Sequence, residues 1–87
     1  MKKNSPLRIP YIVLIDLHRN GEGTYTEICR RIKISDLGGV STTLKNLLRV
    51  GAIEKDIRIH KITAYGNQLL RSIVDVARAT DYKLPEV

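Results

Sequence analysis

Phenylalanine and tryptophan are absent, and cysteine and methionine occur once each. A core without those rings has to be built from Ile, Leu and Val, with four Tyr as its aromatic residues. The single thiol, Cys29, excludes an intrachain disulfide and suits a reducing, cytoplasmic setting. Nowhere do about 18 apolar residues follow one another, as a membrane-crossing helix requires. The apolar stretch from Tyr11 to Ile15 is cut by Asp16 and His18 and lacks a small-residue cleavage site, so no signal peptide is expected. Metal-ligand spacing is missing too. His18, Cys29 and His60 stand apart, with no CxC, CxxC or HxxxH pattern. No nucleophile–base–orienter set, phosphate loop or carboxylate pair is recognisable, so neither an enzyme, a cofactor nor a small-molecule ligand is expected.

Negative charge is in short supply. Lys and Arg number 15 against 9 acidic residues, giving a net charge of +6 and a pI near 9.8. Such an excess attracts polyanions, and nucleic acid is the commonest of them. The 87 residues suffice for one compact domain and are too few for two. A chain this short has a small core, to which an oligomer interface would add apolar burial.

Periodicity orders the chain. Residues 1–6 and 82–87 read as loose tails. From Pro10, the residues Tyr11, Leu14, Ile15 and His18 recur at helical spacing, with Ile12, Val13 and Leu17 widening the stripe, and Asn20-Gly21 ends it. Thr24 and Glu27 have capping-box spacing and open a second helix over 25–32. Its inner face is Ile28 and Ile32, with Cys29 beside them as a small hydrophobe; an intersubunit disulfide or reactive thiol is the alternative for Cys29. Residues 34–39 read as a turn broken by Gly38-Gly39. A third helix, 40–50, anchors itself through Val40, Leu44, Leu47 and Leu48, and Gly51 ends it. The period then changes to two. Ile53, Ile57, Ile59 and Ile62 alternate with charged residues and read as a short hairpin over 52–62, turning near Asp56-Ile57-Arg58. Thr63 caps a last helix over 63–81, with Leu69, Leu70, Ile73, Val74 and Ala77 on one face. The fold class is therefore mainly α with a small β-hairpin: helix, helix, helix, hairpin, helix.

Two helices joined by a turn, the second running into a hairpin, form the winged helix-turn-helix pattern. The run Val40-Ser41-x-x-Leu44-x-x-Leu47-x-x-x-Gly51-x-Ile53, followed by Ile62-Thr63-x-x-Gly66-x-x-Leu69, resembles winged-helix transcriptional regulators of the MarR, ArsR and PadR type. Thr24-x-x-Glu27-Ile28 resembles the start of their first paired helix. The resemblance spans about residues 9–75. In size and in Ile, Lys and Arg usage the chain is also similar to small winged-helix proteins of archaea and their viruses. It implies a sequence-specific regulator bound to double-stranded DNA, with helix 40–50 in the major groove and wing 52–62 on flanking DNA.

The chemistry of the third helix agrees with that implication. The major groove admits one helix, whose outward side chains must meet base edges and phosphates. Ser41, Thr42, Thr43, Lys45, Asn46 and Arg49 are the candidate readers. Asn suits adenine, and Arg or Lys suits guanine. The stripe carries no acidic residue. Lys55 and Arg58 on the wing, and Arg30 and Arg31 on the second helix, are candidate phosphate contacts, with Arg58 implied by the resemblance for the wing tip. The resemblance also implies a homodimer formed by the last helix through Leu70, Ile73, Val74 and Ala77. Two other partners for the same basic face stay open: an acidic protein, or DNA coated without sequence preference.

Overall fold

The structure, a computed structural model, describes residues 8–32 and 37–84. Among them are four helices and one small sheet: α1 (Arg8–Asn20), β1 (Glu22–Thr24), α2 (Tyr25–Ile32), α3 (Leu37–Val50), β2 (Ile53–Asp56), β3 (Ile59–Ile62) and α4 (Ala64–Ala79). The sheet is antiparallel throughout, in the order β1-β3-β2. No helix among the described residues is long and apolar enough to cross a membrane. The tail expected at 1–6, residues 85–87 of the tail expected at 82–87, and residues 34–36 of the turn expected at 34–39 lie outside the described residues; residues 82–84 follow α4 without regular structure.

α1 is the central element. Ile12, Val13, Leu14 and Leu17 are buried, and the helix touches every other helix and the sheet. It begins two residues before Pro10. That costs no hydrogen bond, because the first four N–H groups of a helix have no intrahelical acceptor. His18, expected on the buried stripe, is exposed instead, and its Nδ1 lies 3.0 Å from the Asn67 Oδ1 on α4. α2 spans the residues its capping box marks. The Thr24 N–H donates to the Glu27 carboxylate at 2.9 Å and the Glu27 N–H to the Thr24 hydroxyl at 3.1 Å, satisfying two orphan donors.

α3 starts at Leu37, so Gly38-Gly39 form its first turn rather than the break the sequence suggested. Each glycine costs about 1 kcal/mol relative to alanine in a helix interior. The fully buried Val40 next to them and a hydrogen bond from the Tyr25 hydroxyl to the Leu37 carbonyl offset that cost. At its other end α3 closes in a Schellman motif. The Ala52 N–H donates to the Leu47 carbonyl and the Gly51 N–H to the Leu48 carbonyl, with Gly51 at φ +83°.

β2 and β3 pair from Ile53↔Ile62 to Asp56↔Ile59, leaving Ile57-Arg58 as a two-residue turn. Ile57 therefore does not alternate inward, as the sequence pattern suggested. It stands at the tip, 86% exposed, with φ +59°. The short strand β1, which no periodicity announced, adds to the far edge of β3. Thr63 then ties the hairpin to α4. Its hydroxyl donates to the Gly51 and Ala52 carbonyls and accepts the Gly66 N–H at 3.0 Å. Gly66 is buried where α4 crosses this junction, and a Cβ there would overlap the Ala52 carbonyl oxygen.

Candidate nucleic-acid interface

Three elements converge beside the sheet: the first turn of α2, the outer flank of α3, and the β2–β3 hairpin. Between them run two adjoining recesses. One, of about 230 Å³, is lined by Thr24, Tyr25, Thr26, Lys55, Arg58 and His60. The other, of about 180 Å³, shares Tyr25, Lys55 and His60 and adds Ser41, Leu44, Lys45 and Leu48. Three cations from two elements thus border one concave surface. None of the described residues lining it is acidic. The N-terminal end of α2, the positive end of its dipole, opens onto the same surface.

The polar groups here are held in place. The Tyr25 hydroxyl donates to the Leu37 carbonyl at 3.2 Å, and the neighbouring Cys29 thiol, one helical turn on, raises its pKa, so the group stays protonated and keeps that bond. Glu27 is held below the usual carboxylate range, chiefly by the Thr24 N–H it accepts. His60 is only 4% exposed and its Nδ1 faces the Gly23 carbonyl at 3.3 Å. Burial depresses its pKa, against the raising effect of that carbonyl, so the ring lines the recess as a neutral group near neutral pH.

A third recess, of about 430 Å³, lies on the other flank of α3. It is lined by Thr42, Thr43 and Asn46 of the helix, by Ile9 and Pro10 of α1, and by Gly38 and Gly39. Arg49 donates from Nη2 to the Asn46 Oδ1 at 3.1 Å, so these two side chains present a joined polar surface.

Of the candidate readers, Thr42, Lys45, Asn46 and Arg49 are exposed and Ser41 is half-buried. Thr43 only floors the third recess and is buried. At 8% exposure it belongs to the inner stripe, three residues after Val40 and four before Leu47. Lys55, Arg58 and Arg30 are exposed. Arg31 is committed elsewhere. Its Nε and Nη2 grip the buried Asp16 carboxylate at 2.9 and 2.7 Å, and Nη2 also reaches the Glu22 carbonyl at 3.3 Å. It is an exposed residue whose guanidinium brackets α1, α2 and β1. Of the residues expected at a dimer contact, Leu70 and Ala77 are buried within the protomer, and Ile73 and Val74 are half-buried.

Sequence reasoning missed Tyr25 and Thr26 as members of the concave surface. The available signal was their position just after the Thr24 cap, where side chains of a first helical turn flank the open end of the helix. Among the described residues no cluster of His, Cys, Asp and Glu could hold a metal ion. No protein-family model matches the chain, and no curated protein is significantly similar to it.

Proposed function

We propose that this chain is a winged helix-turn-helix protein that binds duplex DNA with sequence preference and regulates transcription as a homodimer, without catalysing a reaction. In this reading α2 and α3 are the helix-turn-helix pair, α3 is the recognition helix, and the β2–β3 hairpin is the wing. The observation that carries it is the concave surface where Lys45 of α3 meets Lys55 and Arg58 of the hairpin, unopposed by any lining carboxylate. Its hydroxyl and ammonium donors match a phosphate backbone, which accepts hydrogen bonds and carries negative charge. The exposed Thr42, Asn46 and Arg49 on the adjoining flank supply the donors and acceptors that distinguish base pairs in the major groove. Thr43 and Arg31 take no part. Their side chains serve the fold.

Duplex binding measured across a salt series tests this. Neutralising about four phosphates gives a slope of log K against log salt near −3.6, and each cation removed lowers it by about 0.9. The variant Thr42, Lys45, Asn46 and Arg49→Ala, checked by circular dichroism, is expected to lose affinity and preference among sequences together. Failure of the native protein to bind any pool of duplex sequences at low salt would sink the proposal.

A further inference from the structure

The hairpin tip holds an arrangement that the stability of the fold does not require. A two-residue hairpin turn with positive φ at its first central position favours glycine or asparagine. This turn places isoleucine there, at φ +59°, although a β-branched side chain is among the least suited to that backbone region. The side chain gains nothing in return from the protomer: at 86% it is the most exposed large hydrophobic residue described. Its surroundings are polar and cationic. Lys55 and Arg58 line the recess on one face of the hairpin, while Asp56, by strand alternation, lies with Glu54 on the other. The apex is therefore an apolar point rising beside two cations that border the proposed DNA surface.

We infer that Ile57 is a wedge that enters the minor groove of the duplex whose major groove receives α3, pressing on a base step and bending the DNA. The inference rests on the DNA-binding reading above. Apolar side chains act in this way by inserting between base steps, partly unstacking them and kinking the duplex, and here Lys55 and Arg58 on one face of the hairpin would hold the adjacent phosphates. Pyrimidine–purine steps unstack most readily, so the wedge gives the protein a preference at a position its α3 does not touch. A turn built on Ile rather than Gly or Asn is then explained by what the tip meets, not by what the hairpin needs.

The test uses the full chain and duplexes labelled at both ends, with affinity read by titration and bending by energy transfer. Ile57→Asn suits the positive φ and is expected to leave the melting temperature unchanged or higher. It should weaken binding about tenfold, within the range by which burial of an isoleucine side chain shifts an equilibrium. Bending and the preference for a flexible flanking step should go with it. Ile57→Leu keeps an apolar tip and should stay within about twofold of the native affinity, well below the effect of losing the burial. If the native protein binds duplex DNA and Ile57→Asn binds it equally well with the same bend, the wedge is wrong and the DNA reading stands. If the native protein binds no duplex, both fall. Binding to anionic vesicles that Ile57→Asn abolishes, with duplex affinity and bending unchanged, overturns the wedge in favour of a membrane contact.

Discussion

Asp16 interrupts an otherwise aliphatic face of α1 and is 7% exposed. A carboxylate there is tolerated only if its charge and lone pairs are met. Arg31 meets them with a two-pronged grip, and the Asn20 amide adds a bond to Oδ1 at 3.2 Å. The two partners are not equally placed, since the Arg31 side chain is 30% exposed and can turn to water when its partner is removed. Removing the arginine strands a buried charge, whereas removing the aspartate does not. Arg31→Ala is therefore expected to cost about 3 kcal/mol, at the lower end for a broken buried pair, and Asp16→Ala about 2. The double variant should cost less than the sum of the two. Urea unfolding of the three proteins checks this, with Arg30→Ala as the exposed comparison. An Arg31→Ala midpoint equal to that of Arg30→Ala would show that the bracket carries no weight. In the sequence Arg30 and Arg31 look alike, one cationic pair. Only the return of α2 to α1, fifteen residues after Asp16, separates their roles.

At the scale of elements, what was legible is what is local. The capping box set the start of α2, the glycine stop set the end of α3, and Thr63 set the start of α4, each through bonds spanning a few residues. The two-residue turn, Ile57-Arg58, also falls within the Asp56-Ile57-Arg58 stretch where the sequence places it, although the same pattern counts Ile57 among the alternating residues. What was not legible depends on partners far along the chain. β1 is three residues long, too short to show alternation, and exists because β3 lies beside it some 37 residues later, as in Gly23↔His60. Thr43 looked like one more hydroxyl on a polar stripe until the inner stripe of α3 was fixed by packing. Gly66 was legible only through resemblance, and the structure supplies its reason. α4 crosses the α3–β2 junction so closely that only a hydrogen fits between it and the Ala52 carbonyl. The obstacle is backbone held by the Thr63 N–H and hydroxyl, so it cannot yield as a flexible side chain would. Gly66→Ala, which elsewhere in a helix would stabilise by about 1 kcal/mol, is expected here to destabilise by about 3 kcal/mol, the upper range for overpacking. Thermal unfolding gives the sign directly, and a stabilised variant would mean that α4 sits further from the junction than described.

For the whole molecule the second face of α4 is where a partner copy would pack. Its inner stripe of Gly66, Leu70 and Ala77 is buried in the protomer, so the dimer contact expected there cannot use Leu70 or Ala77 as its outward surface. A neighbouring stripe remains: Tyr65, Leu69, Ser72 and Val76 at i, i+4, i+7 and i+11, with Tyr65 and Val76 exposed and Leu69 only half-buried. Ile73 lies at its margin, and the exposed Tyr82 follows the helix. A twin packed on this stripe would give the assembly a two-fold axis and two copies of α3. We therefore expect a dimer at micromolar concentration by light scattering. Val76→Glu, at a side chain 54% exposed in the protomer, should yield a monomer with unchanged circular dichroism. On a duplex with two half-sites its affinity should fall to that for a single half-site, because the linkage that makes the second contact intramolecular is gone. The native chain found monomeric at these concentrations would remove the two-fold arrangement and leave each protomer to read DNA alone. Val76→Glu found dimeric would move the contact off this stripe.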